Sequence, residues 1–183
     1  MSKGVRFVIL GEDSAHLRFC RTILKDLGVH PREISEKIAN PGDGAAEYFV
    51  RNRFPVELSG LRRKQNSQKV RLIVCIDADR NTLSKRLSDL DIACESYGIC
   101  PVSERDKLAR WVPRRNIETW ISFFVGTVEV NELDDFKQNF ERAQYNHAAR
   151  DWIQVFRSTD DVRSACLPSL IHSFSEFERV WVR

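Results

Sequence analysis

Two acids separated by one alanine, Asp77 and Asp79, close the run RLIVCIDAD, directly after the five apolar residues Leu72 to Ile76. Glu12 stands just past the first apolar run of the chain, Val5 to Leu10, and Glu118 lies in VPRRNIETW, just past the shorter stretch Leu108 to Val112. A buried strand has no structural need to end in carboxylates, and carboxylates gathered in one crevice repel one another unless a proton or a cation intervenes. Magnesium suits such a place, because it takes one or two carboxylates, keeps several waters and then meets substrate phosphates. Manganese shares the preference for oxygen. Two ions roughly 4 Å apart could activate a water and stabilise the leaving oxygen of a phosphodiester. On this reading Asp77 coordinates directly, Asp79 binds the same or a neighbouring ion, Glu12 coordinates or moves a proton, and Glu118 completes the shell. His16, one turn beyond Glu12, could act as a ligand or proton carrier because its pKa lies near neutrality.

Each of these residues also has an ordinary use. Aspartates at a strand end start turns and cap helices, and a glutamate in a first helical turn interacts well with the helix dipole. Asp13 reads as the cap of the helix that follows it, and His16 as a packing residue. Spacing does not choose between these readings, but acids recurring after three separate apolar runs favour the metal.

The basic residues are arranged unevenly. No acid occurs between Glu57 and Asp77, whereas Arg62, Arg63, Lys64, Lys69 and Arg71 do. Such a segment would attract and steer a phosphate polymer such as DNA or RNA, or simply form a solvated loop. Arg114 and Arg115 immediately precede the helix carrying Glu118, where planar guanidinium groups and helix N-terminal donors could clamp a phosphate. Arg115 could equally pair with Glu118 at i,i+3.

Elements that position these residues follow from periodicity. Val5 to Leu10, Leu72 to Ile76 and Leu108 to Val112 read as strands, the first two apolar enough to be covered on both faces of a parallel sheet. A helix over Ser14 to Leu27 carries Leu17, Cys20, Leu24 and Leu27 on one stripe, with Gly28 as its stop. Pro31 to Gly44, with its NPGDG, reads as turn, and Ala45 to Arg53 as a helix ending before Pro55. Leu83, Leu87, Leu90 and Cys94 mark a helix from about Asn81. Asn116 caps another, in which Trp120 faces the core. The rest reads as helical, in segments marked by Leu133, Phe136 and Phe140, then Tyr145 to Phe156, then Leu170 to Trp181. The expected architecture is therefore α/β, a compact parallel-sheet core over residues 1–126 flanked by helices, with a helical C-terminal extension over 127–183 that packs on it. That extension could also meet a protein partner or a second copy of the chain.

With 183 residues and 42% hydrophobic content the chain can bury the core of one globular domain. Its five cysteines are widely spaced and lack any zinc-finger spacing. No run reaches the ~18 apolar residues needed to span a bilayer, and no leader pattern opens the chain, so no membrane partner and a cytoplasmic address are expected. Neither a GxxxxGK nor a GxGxxG loop occurs.

GEDSAHLRFCRTIL and LIVCIDAD together resemble the Toprim domain, especially the small standalone Toprim-like proteins and the nuclease domains of the overcoming-lysogenization-defect family. The resemblance covers about Val5 to Phe124. Glu12 matches the family's glutamate after the first strand, Asp77 and Asp79 its DxD after a later strand, and RRNIETW with Glu118 an additional acidic motif of some small members. It implies a metal-dependent nuclease that cleaves DNA or RNA with magnesium or manganese, in a setting such as defence against mobile DNA. Asp13 replaces the family's glycine, and His16 stands where nuclease members often carry another glutamate. Those departures leave a non-catalytic nucleic-acid-binding or partner-docking subunit as an alternative. A small-molecule phosphatase, with Asp77 as nucleophile and Asp79 as acid/base, is a third.

Overall fold

The computed structural model describes residues 4–40, 45–126 and 129–181. Four parallel strands, β1 (Arg6–Gly11), β2 (Ile34–Lys37), β3 (Val70–Cys75) and β4 (Leu108–Trp111), form one sheet in the order β2-β1-β3-β4. Helices α1 (Ser14–Asp26), α2 (Ala46–Lys64) and α3 (Leu83–Ser96) make the crossovers. Helix α4 (Ile117–Val125) follows β4, and α5 (Arg142–Phe156), α6 (Asp160–Ser164) and α7 (Pro168–Glu178) complete the chain. The protein is thus α/β, with a parallel sheet flanked by helices. No helix among the described residues is long and apolar enough to cross a membrane.

Alternation along the strands sorts the core into two layers. Phe7, Ile9, Ile73, Cys75, Ala109 and Trp111 face one side, where α1, α4, α5 and α7 cover them. Leu10, Val70, Leu72, Val74 and Leu108 face the other, against Val50, Phe54, Leu58 and Leu61 of α2 and Leu90 and Cys94 of α3. Burial on both faces explains why β1 and β3 read as nearly unbroken apolar runs. Trp111 sits in the first layer against Trp152 and Phe177, at ring-centroid distances of 5.0 and 5.6 Å. The helices after residue 129 therefore contribute to the same core as the sheet.

Three local expectations are corrected. Helix α2 does not stop before Pro55 but runs through it to Lys64. A proline inside a helix costs about 3 kcal/mol, yet burying Val50, Phe54, Leu58 and Leu61 returns roughly 1.5–3 kcal/mol for each side chain, so the tertiary stripe wins. The stretch read wholly as turn contains β2, whose ISEK sequence has little apolar signal because it is an edge strand with Ser35 and Glu36 exposed. Backbone pairing of Phe7 through Leu10 with Ile34 through Lys37 defines it; residues 41–44 of the NPGDG turn lie outside the described residues. Finally, Leu133 to Phe140 is not helical. Asn131 accepts hydrogen bonds from the amides of Leu133 and Asp134 through its side chain, a local turn that competes with helix, and Leu133 stays exposed.

Candidate functional site

Parallel pairing sets Arg6 to Gly11 of β1 against Val70 to Cys75 of β3, so Gly11 and Cys75 end level with one another. From β1 the chain turns one way to β2, while β3 and β4 lie on the other side, and the direction of winding reverses between β1 and β3. Crevices beyond the carboxyl ends of strands at such a reversal are where ligands collect in open parallel sheets. Glu12 and Asp77 flank this one. The Asp77 amide donates to Glu12 Oε1 at 2.8 Å, which ties the two strand ends together.

His16 enters from the first turn of α1. Asp13 caps that helix, accepting from the amides of Ala15 and His16, and this fixes the side on which the imidazole emerges. The ring is fully buried, with Nδ1 2.9 Å from Asp13 Oδ1 and Nε2 2.9 Å from Asp77 Oδ1. Burial by itself would drive the imidazole toward neutrality, but the charge of Asp77 and the hydrogen bonds to both aspartates raise its pKa well above the usual value. His16 is therefore an imidazolium that donates to both carboxylates. Asp13 is held down to about 2: burial opposes its charge, and the hydrogen bond and charge of His16 outweigh that.

The remaining acids are displaced upward. Burial first, then the Asp77 charge, push Glu12 up to about 7, against the pull of His16. Burial also raises Asp77, despite His16. Glu118, buried in the first turn of α4, is raised by burial and then, despite its own backbone N–H, by Asp77 and Asp13. Asn116 places it there by capping α4 on the Thr119 amide. Burial is thus the first cause of all three upward shifts, and the neighbouring carboxylates, with His16 as the one cation among them, add to it.

Asp79 departs from the expected cluster. It adopts a left-handed backbone, φ 55°, and its side chain is 61% exposed and turned toward Arg86, Nη2 to Oδ2 3.2 Å. Arg86 is buried on α3 and also donates to Glu47, which pairs with Arg51 in turn. The apolar stripe of Leu83, Leu87, Leu90 and Cys94 carries no sign that Arg86 turns inward, and its partners Glu47 and Asp79 lie on other elements, so sequence reasoning missed it. Asp13 was legible only as a cap, and Tyr145 only as part of an apolar stripe. Burial raises the pKa of Tyr145, followed by the charge of Glu118, and Arg18 and Asp13 also act on it.

The expected basic segment is not beside this site. Arg62, Arg63, Lys64 and Lys69 lie at the amino end of β3, a strand length of about 20 Å from its carboxyl end. Arg62 is spent on structure: Nε and Nη2 grip Asp106 at 2.8 and 2.7 Å, and Nη1 and Nη2 donate to the carbonyls of Cys100 and Pro101. Arg71 donates to the carbonyls of Val70 and Val180. Arg114 and Arg115, in contrast, lie in the crossover at the acid end. Arg115 Nη1 reaches the Asp79 carbonyl at 3.4 Å, while Arg114 Nη1 and Arg115 Nε are buried without a hydrogen-bond partner among the described residues.

No group of three or more His, Cys, Asp and Glu side chains among the described residues is arranged to hold a metal ion. Magnesium does not need three, since it accepts one or two carboxylates and retains water. Glu12 and Asp77 each have one oxygen committed, to the Asp77 amide and to His16, and accept no further hydrogen bond among the described residues. Oxygen donors with excess negative charge fit a hard divalent cation in donor type and in charge. No protein-family model, curated protein or solved structure matches this chain.

Proposed function

We propose that the chain is a divalent-metal-dependent nuclease of Toprim-like fold that cleaves phosphodiester bonds of DNA or RNA at the Glu12, Asp77 and Glu118 crevice. The observation that carries this reading is the meeting of Glu12 and Asp77 across a topological reversal, where burial and, after it, neighbouring carboxylates raise the pKa values of both. Magnesium or manganese held by Glu12 and Asp77, with Glu118 adding its negative charge nearby, would supply Lewis-acid stabilisation of the phosphate and a more acidic water.

The residues of the chain divide the remaining work. His16, donating to Asp77, holds that carboxylate in one orientation and neutralises part of its charge. Glu12, raised to about 7 in the metal-free chain, would be drawn back to its carboxylate form by a bound cation. Arg114 and Arg115, half-buried in the crossover at the acid end, carry guanidinium groups suited to phosphate oxygens. Asp79 supports the crevice from its rim through Arg86.

Purified protein incubated with single- and double-stranded DNA and RNA, with magnesium, manganese or chelator, tests the proposal. Cleavage is expected only with metal, and Asp77→Asn and Glu12→Gln should each reduce it by at least 100-fold, the order found when a group acting directly in the transition state is removed. Cleavage that persists in both variants would refute the assignment. Binding without cleavage under every metal condition would leave the docking-subunit alternative.

A further inference from the structure

Since the segment from Arg62 to Arg71 lies at the wrong end of the sheet, a nucleic acid cut at the acid crevice needs another seat. A groove of about 480 Å³ between α1 and α5 carries Arg18, Arg21, Lys25, Arg142 and Arg150, with Asn146 among them. Asp26 is the one acid on its lining, and Arg21 is also paired with Glu36 of β2 at 2.8 Å. The cations form two facing stripes: positions 18, 21 and 25 share a face of α1, and 142, 146 and 150 a face of α5. Arg18, Lys25, Arg142 and Arg150 are exposed. This alignment follows from the packing of α1 on α5.

The groove runs along α1, whose first turn carries His16 against Asp77. Arg18 lies over the Tyr145 ring, 4.9 Å from guanidinium carbon to centroid, two residues beyond His16 on the same helix. Arg18 is five residues from the Asp13 cap, about 7 Å along the helix, and Lys25 about 10 Å further. Each stripe is therefore long enough to meet only a few neighbouring phosphates of one strand. Arg6, Arg32 and Lys64 make another basic surface, but at the amino ends of the strands, away from the acids.

Building on the nuclease reading, we infer that the α1/α5 groove binds the sugar–phosphate backbone of the nucleic-acid strand whose next phosphodiester enters the acid crevice. Such contacts are electrostatic, independent of base sequence and weakened by salt.

The test reads binding separately from cutting. Fluorescein-labelled DNA and RNA oligonucleotides, single- and double-stranded, are titrated in EDTA over a range of salt concentrations with the full chain. The triple variant Lys25→Glu, Arg142→Glu, Arg150→Glu should bind at least tenfold more weakly, and the plot of log affinity against log salt should become shallower by about 2–3. The triple glutamine variant at the same positions should show the same change to a lesser degree and keeps the test valid if charge reversal impairs folding. Arg32→Glu with Lys64→Glu should bind as wild type does. Wild-type binding by both groove variants would overturn the inference, as would loss of binding only in the amino-end variant. So would a wild-type protein that ignores every oligonucleotide and instead binds an acidic peptide. Salt-dependent binding lost in the groove variants, in a protein that cuts nothing with any metal, would uphold the groove and defeat the nuclease reading; metal-dependent cutting indifferent to the groove variants would do the reverse.

Discussion

Replacing Glu12 with glutamine keeps the side chain's shape and its acceptor for the Asp77 amide while removing the charge. In the folded chain burial and Asp77 carry Glu12 from an ordinary 4.5 up to about 7. Below pH 4.5 the group is protonated in both folded and unfolded chains and contributes nothing to pH dependence. Between 4.5 and 7 the folded state holds a proton that the unfolded state has released, so stability falls as pH rises. Above 7 the whole penalty applies, about 3 kcal/mol at ~1.4 kcal/mol per pH unit. Glutamine avoids that penalty but gives up the charge assistance in the hydrogen bond from Asp77, roughly 1 kcal/mol. Glu12→Gln should therefore be more stable than wild type by about 2 kcal/mol at about pH 8, or about 4–8 °C in Tm for a chain of this size. Near pH 4.5 the two should be equal, or the variant slightly weaker. Urea unfolding of both proteins in EDTA across this pH range measures the difference, and the comparison cancels groups common to both. Added magnesium should then stabilise the wild type more than the variant, because a ligand that binds only the folded state shifts the equilibrium by mass action. A variant less stable than wild type by the same amount at both ends of the range would refute the claim that Glu12 is destabilised by its surroundings.

His16→Ala should cost about 3 kcal/mol in urea unfolding, because Asp77 is left buried without its charged donor; NMR titration should also show Glu12 moving above its wild-type value, since His16 lowers it. Arg62→Ala should cost about 3 kcal/mol by removing the charge that pairs with buried Asp106, which keeps only its hydrogen bonds from Ser103, while cleavage per folded molecule stays unchanged. Asp79→Gly relieves a left-handed backbone at the expense of an ion pair exposed on its Asp79 side, and buried Arg86 keeps Glu47, so stability should change by less than about 1 kcal/mol. Single-turnover cleavage should fall less in Asp79→Gly than in Asp77→Asn, since Asp79 faces Arg86 at the rim.

What the amino-acid sequence determined was local. The runs before Glu12 and Asp77 identified strands buried on both faces, and the caps Asp13 and Asn116 and the stop Gly28 defined α1 and α4, because each signal is contained within a few neighbouring residues. Three acids after three strands were legible for the same reason. Tertiary structure decided which of them meet. Register places Gly11 beside Cys75 and thereby Glu12 beside Asp77, whereas the left-handed turn at Asp79 carries the second acid of the DxD outward. It also carried α2 through Pro55, made a strand of ISEK, and sent Arg62 to Asp106, since each outcome is settled by a partner distant in sequence. The facing cations of α1 and α5 belong to this second class: helical periodicity assigns each stripe to a surface, and only the packing of the two helices, more than a hundred residues apart in the chain, makes those surfaces one.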